Sequence, residues 1–380
     1  MDNRVCEMLG IEFPLFAFTH CRDVVVEVSK AGGFGVLGAA RMTPGELDME
    51  LQWIDEHIDG MPYGVDLIVP DKFVGKDEQP SPEDFLAMLP EGHKQFAADV
   101  LEGHDVNTDG VDDAARLELM GWGDNLRLEG ATAMLDVAFS HPIKLIANAL
   151  GVPPPPMLEM GKERGVAVAA LVGAKSHAIR QVQAGVDILV VSGTEAGGHC
   201  GSVSTLVLVP EIHEAIQEYG DTPILAAGGI ATGRQMAACM AMGAAGAWTG
   251  SVWLTTVEAE TSPVIKEKLL AAGSSDTVRS RSRTGKHSRQ LRSSWTDAWE
   301  QPEAPEPLGM PLQRLISEPA LKKVEKLSEG GHEGARDLAT YWVGQGVGLM
   351  NARQSTRSVV YEFKEDFVEA YERLAKAVGA

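Results

Sequence analysis

The chain has 380 residues and carries 54 acidic against 33 basic side chains, a formal charge of −21. That charge repels nucleic acid and anionic membrane surfaces, so a phosphate-bearing ligand must be held locally, by backbone N–H groups or a few basic side chains. No run of 18 apolar residues occurs and the start, MDNRVCEMLG, has no signal-like apolar stretch, so a globular, cytoplasmic protein without a membrane span is expected.

Cys6, Cys21, Cys200 and Cys239 are widely spaced without a C-x-x-C pair, so they read as free thiols and no metal site is expected. Short apolar runs of strand length then alternate with helical stretches. The runs are Phe13 to Phe18, Phe34 to Gly38, Tyr63 to Val69, Ile143 to Ala147, Val166 to Val172, Val186 to Ser192, Pro223 to Ala227 and Ala245 to Ser251. Helices are expected at Arg22 to Ala31, Lys175 to Ala184, Leu206 to Tyr219 and Gly233 to Met242. Most runs are apolar throughout, as for strands covered on both faces, and eight of them predict an α/β fold, a (β/α)₈ TIM barrel. An open doubly wound sheet is the competing architecture.

The stretch 77–141 is too long for one crossover and contains acidic helix formers, including Ser81 to Leu89 and Asp112 to Met120, so it reads as a helical insertion. Beyond the eighth run, Ser274 to Arg292 is rich in Ser and Arg, and Gln301 to Pro311 holds four prolines; both read as loops over the surface or the barrel mouth. Val359 to Val378 has helical spacing and is expected to close a C-terminal extension, 274–380, of one domain spanning 1–380. His141-Pro142 reads as a turn, and Pro153 to Pro156 as a polyproline turn before a helix starting near Met157.

Several motifs carry chemistry. Gly33-Phe34-Gly35-Val36-Leu37-Gly38 satisfies G-x-G-x-x-G, yet its glycines lie in a strand that follows a helix, the wrong context for a dinucleotide fingerprint. The run Val186 to Ser192 instead enters Gly193-Thr194-Glu195-Ala196-Gly197-Gly198-His199-Cys200-Gly201, whose glycines let backbone approach a flat ligand and set an imidazole at the C-terminal rim. A tight turn with a solvated histidine is the bland alternative. Ala227-Gly228-Gly229-Ile230 and Trp248-Thr249-Gly250-Ser251 end the seventh and eighth runs, where such barrels hold phosphate. Arg279, Arg281, Arg283, Lys286, Arg289 and Arg292 form a basic run that could capture an anion or face solvent.

Taken in order, the Gly193 to Gly201 loop, Ala226 to Ile230, Met242-Gly243-Ala244 and Thr249-Gly250-Ser251 resemble the nitronate monooxygenase family, as do Pro14 to Ala17, Ala31 to Gly35 and Gly344-Gln345-Gly346. The resemblance implies FMN held noncovalently in a TIM barrel, and oxidation of alkyl nitronates by O₂ to a carbonyl compound and nitrite. It places Phe16, Ala17 and Phe18 beside the flavin ring, Gly197 and Gly198 against the cofactor, and the phosphate on Gly228, Gly229, Gly250 and Ser251. Further cofactor contacts are implied for Asp66, Lys175, Ser192, Gly193, Ala196, Trp248 and Thr249. His199 becomes the catalytic residue, binding the nitronate in protonated form or removing the α-proton of a nitroalkane. Asp66 stands where relatives commonly carry Asn, Ser192 where they carry Gln, and Trp248 and Ser251 where they carry Gln and Thr. Two alternatives therefore stay open: NAD(P)H-dependent reduction of a quinone or enoyl thioester, with the basic run holding the dinucleotide, and a non-catalytic flavin-binding barrel.

Overall fold

Each of the eight apolar runs forms a strand in the computed structural model, which describes residues 3–70, 81–120 and 128–379. They are β1 (Leu15–Thr19), β2 (Phe34–Gly38), β3 (Tyr63–Leu67), β4 (Leu145–Asn148), β5 (Ala167–Val172), β6 (Ile188–Ser192), β7 (Ile224–Ala227) and β8 (Gly246–Thr249). Neighbours pair in parallel and β8 returns to β1, closing a (β/α)₈ TIM barrel without a free edge.

Alternation along each strand decides what faces inward. Tyr63, Val65 and Leu67 pack outward with Leu47, Leu51 and Ile54 of the helix Pro44–His57, which turns Gly64 and Asp66 into the barrel. Phe16, Phe34, Val36, Leu225 and Trp248 fill the interior, with the Phe16 ring 5.1 Å from Phe34 and 6.0 Å from Trp248. The glycines of the false dinucleotide motif have a packing reason. A Cβ on Gly35 would lie 2.4 Å from the carbonyl oxygen of Val25, so glycine lets the helix Arg22–Lys30 lie directly on β2.

Helices occur where expected at Arg22–Lys30, Lys175–Ala184, Thr205–Ile216 and Gly233–Ala241. The helix Pro155–Arg164 begins earlier than the expected start near Met157, because prolines suit a first turn whose N–H groups have no helical partner. Between β3 and β4 lie Pro82–Ala87, Glu91–Glu102, Asp113–Glu118 and Leu128–Ser140. Residues 77–80 and 121–127 of the expected insertion lie outside the described residues. Leu128–Ser140 corrects that expectation: Met134, Leu135, Ala138 and Phe139 share a cluster with Val65 and Ile146, so this helix is the ordinary crossover and the addition precedes it.

A second correction concerns Ser274 to Arg292. It is no loop but an antiparallel hairpin, Thr277–Ser280 with Ser288–Leu291, extended by the two-residue strand Gly198–His199. Ser280, Ser288 and Gln290 are buried in it, so polar residues occupy positions where apolar ones would have signalled strands. The extension and the β3–β4 addition pack together. Phe96 meets Trp299 edge-on at 4.9 Å, and Arg116 donates to the Leu315 carbonyl in the helix Leu312–Glu329 at 3.2 Å. The last helix, Thr356–Val378, buries Val359, Val360 and Phe363, and Gly233 has no room for a Cβ beside the Phe363 backbone. Among the described residues no helix is long and apolar enough to cross a membrane.

Candidate active site

A cavity of about 430 Å³ opens at the C-terminal ends of the strands, where barrel loops converge, and its size suits a small ligand or cofactor. Its wall contains Phe18, Trp248 and Ser192 from the strands, and Ala196, Gly197, Gly198 and His199 from the loop after β6. Gly228 and Gly229 after β7, and Thr249, Gly250 and Ser251 at the end of β8, complete the expected lining. Tyr341 and Trp342 of the extension also line it.

Five expected contacts stand elsewhere. Phe16 lies deeper, beneath Trp248, and Ala17 faces outward toward the helices. Gly193 sits behind the wall, donating to the Ala227 carbonyl at 3.0 Å; a Cβ there would fall 2.2 Å from Thr205 Oγ1. Lys175 starts a crossover helix, half-exposed, with Nζ 3.8 Å from Glu211, and does not line the cavity. Asp66 is buried with its Oδ2 unpartnered, and burial raises its pKa well above the usual carboxylate range, favouring the neutral carboxyl.

The loop after β6 is braced from three directions. Glu195 accepts from both the backbone N–H and the hydroxyl of Thr205 at 2.9 Å, which anchors the loop to the start of Thr205–Ile216. Its carbonyl accepts from Gln345 N–H at 2.9 Å, and Gly344 N–H donates to Ser251 Oγ at 2.8 Å, tying the β6 and β8 loops to one C-terminal segment. Gly197 packs so closely on Val343 and Gly344 that a Cβ would lie 2.8 Å from their backbone. Gly228 (φ 103°) and Gly229 (φ 72°) are left-handed, and this conformation shapes a backbone cradle that side chains would fill.

His199 presents its imidazole to the cavity, with Nε2 2.8 Å from Thr284 Oγ1 in the hairpin turn. The Thr284 hydroxyl is placed to donate to the Lys286 carbonyl at 3.3 Å, so Nε2–H donates to Thr284 and Nδ1 keeps its lone pair. Burial, then the charges of Lys286, Arg314 and Arg41, hold the His199 pKa below its ordinary value. The lowered pKa disfavours the protonated form that the resemblance implied and favours the neutral imidazole.

A second imidazole, unanticipated, shares the cavity. His20 follows β1, and its Nδ1 donates to the Gly38 carbonyl at 2.7 Å, a fit that requires glycine because a Cβ on Gly38 would strike the ring. Burial lowers its pKa, the Gly38 hydrogen bond partly offsets this, and Arg41 adds to the lowering. Its position just past a barrel strand was the available sequence signal. Trp342 was not foreseeable locally; its ring carries the guanidinium of Arg283 at 4.0 Å and of Arg41 at 5.2 Å.

The basic run divides by partner. Arg281 pairs with Glu306, Arg292 with Asp297 (2.7 Å), and buried Arg283 with buried Glu318 (2.9 Å). Arg289 donates to the Thr194 carbonyl at 2.9 Å, holding the hairpin to the loop after β6. Lys286 is exposed at the turn beside Thr284. Cys21, Asp23 and Glu260 lie close enough to hold a metal, but burial raises the Cys21 thiol and its Sγ already donates to the Glu258 carbonyl at 3.2 Å, which makes them poor ligands together.

Comparison with known proteins places this geometry. A family model described as nitronate monooxygenase matches residues 3–366. Rv1533 of Mycobacterium tuberculosis, named as a monooxygenase, is 51% identical over 376 residues, covering 98% of each chain. A Staphylococcus saprophyticus protein named as a nitronate monooxygenase is 26% identical, covering 91% of this chain and 92% of its own. Among solved structures, a nitroalkane oxidase from Streptomyces ansochromogenes superposes with a TM-score of 0.77 at 22% identity, covering 97% and 99% of the two chains. A FabK variant from Thermotoga maritima does so with 0.69 at 25% identity, covering 99% and 100%.

Proposed function

Because the chain belongs to the nitronate monooxygenase family and is a flavin oxidoreductase, we propose that it binds FMN and oxidises alkyl nitronates with O₂ to a carbonyl compound and nitrite. The observation that carries this reading is one cavity joining a left-handed glycine cradle, an aromatic wall and a neutral histidine.

The residues fit the cofactor. Gly228, Gly229, Gly250 and Ser251 would hold the phosphate through backbone N–H groups and one hydroxyl, local donors that a chain of charge −21 needs. Phe18, Trp248 and the backbone of Ala196, Gly197 and Gly198 would flank the ring, while Ser192 and Thr249 offer hydroxyls in the wall. FMN, when bound, would accept electrons and support chemistry with O₂. His199 acts on the proton: its Nδ1 would take the α-proton of a neutral nitroalkane, the C–H pair shifting into the nitro group to give the nitronate. Thr284, accepting from Nε2–H, fixes that tautomer and the ring's orientation.

Purified protein should be yellow, and anaerobic mixing with propionate-3-nitronate should bleach the flavin. NADH and NADPH are run in parallel; bleaching by these alone would replace the proposal with a nicotinamide-dependent reductase. A protein that takes up no FMN would leave neither enzyme reading standing. His199→Asn should keep its flavin and lose roughly 10²–10⁴-fold in turnover of neutral nitroalkane; unchanged turnover would remove His199 from the mechanism.

A further inference from the structure

A nitronate is an anion, and both imidazoles in the cavity are held neutral, so positive charge must come from elsewhere. Sorting the basic side chains near the cavity points to two candidates. Arg281, Arg283 and Arg292 are each paired with a carboxylate, Arg289 is spent on the Thr194 carbonyl, and Arg279 and Arg314 are only partly exposed. Lys286 and Arg41 are exposed and have no carboxylate partner among the described residues. Lys286 belongs to the turn whose Thr284 bonds His199. Arg41 follows β2 at the C-terminal rim and rests its guanidinium 5.2 Å from the ring of Trp342, a cavity-lining residue.

We propose that Lys286, in the turn that bonds His199, and Arg41, against the cavity-lining Trp342, form the anion-recognition pair of this site and confer preference for substrates that arrive as nitronates. The inference rests on the nitronate reading and refines it. His199 is the base for neutral nitroalkanes, and the two cations receive the charged form. Such charges act on capture and on KM more than on the chemical step, and they weaken with salt. Their fields add to the burial that lowers both imidazoles: His199 feels Lys286, Arg314 and Arg41, and His20 feels Arg41. The carboxylates lining the cavity are Glu260 and Glu325, and Glu318 is committed to Arg283.

The test uses holoenzyme and sodium nitrate, a planar monoanion shaped like the nitronate group, titrated calorimetrically at low ionic strength. Nitrate should bind wild type, and Lys286→Gln and Arg41→Gln should each weaken it roughly tenfold. Arg41→Lys should restore most of the affinity, and Arg292→Gln, in a surface pair, should change nothing. In turnover both glutamine variants should raise KM for propionate-3-nitronate with little change in kcat, and leave KM for neutral nitroethane unchanged. The acid limb of nitroethane turnover should move to higher pH in Lys286→Gln, since removing a cation raises the His199 pKa. Unaltered nitrate affinity in both variants, or equal losses for nitronate and nitroethane, would overturn the proposal. Nitrate binding lost in the variants without any flavin bleaching by nitronate would leave the anion pair standing and remove the nitronate reading.

Discussion

Asp66 shows how much depends on one carboxyl. Folding takes it from water into the barrel, where burial favours the neutral form, so its folded pKa lies above the unfolded one. Its contribution to stability is therefore intact below the ordinary carboxylate range and is lost as pH rises through the folded value, because folding must then take up a proton. Asp66→Asn should raise the melting temperature at pH 7 and change it much less at pH 4, a comparison that thermal scans at the two pH values make directly. His199 has the opposite sign: its lowered pKa means the neutral base persists below the ordinary histidine range. The sequence made His199 visible through the glycines around it, but not its charge state. That depends on Lys286, Arg314 and Arg41, which converge only after folding, as does the room that Gly38 leaves for His20.

Among elements, the loop after β6 behaves as the end of a helix as much as the end of a strand. Glu195, conspicuous inside the glycine-rich loop, spends its carboxylate on Thr205. Glu195→Ala should cost about 2 kcal/mol in urea unfolding, the scale of hydrogen bonds to a charged group, and should weaken flavin retention because the loop carries Ala196 to His199. The barrel strands were legible because burial on both faces leaves uninterrupted apolar runs. The hairpin Thr277–Ser280 with Ser288–Leu291 was not, since its buried residues include Ser280, Ser288 and Gln290, the last donating to Ser282, and no period of hydrophobicity marks it.

At the scale of the molecule, the addition before β4 and the extension after β8 form a layer over the mouth, a pairing illegible beforehand because its contacts join residues about 200 positions apart, as Arg116 with Leu315. Buried charge is built into this layer. Burial alone would raise the Glu318 pKa, but Arg283, Arg41 and Arg314 more than reverse that, keeping the carboxylate ionised against Arg283. Glu318→Gln would strand the Arg283 guanidinium and should destabilise the protein by roughly 3–5 kcal/mol, measured by chemical denaturation.

The segment Gly344-Gln345 reaches the loops after β6 and β8 by single hydrogen bonds, and this gives the chain an order of assembly. The floor of the cavity is complete once residue 251 has left the ribosome, but its brace is synthesised nearly a hundred residues later. Nascent barrels of this protein would thus expose an unbraced mouth during translation until Gly344 and Gln345 are made.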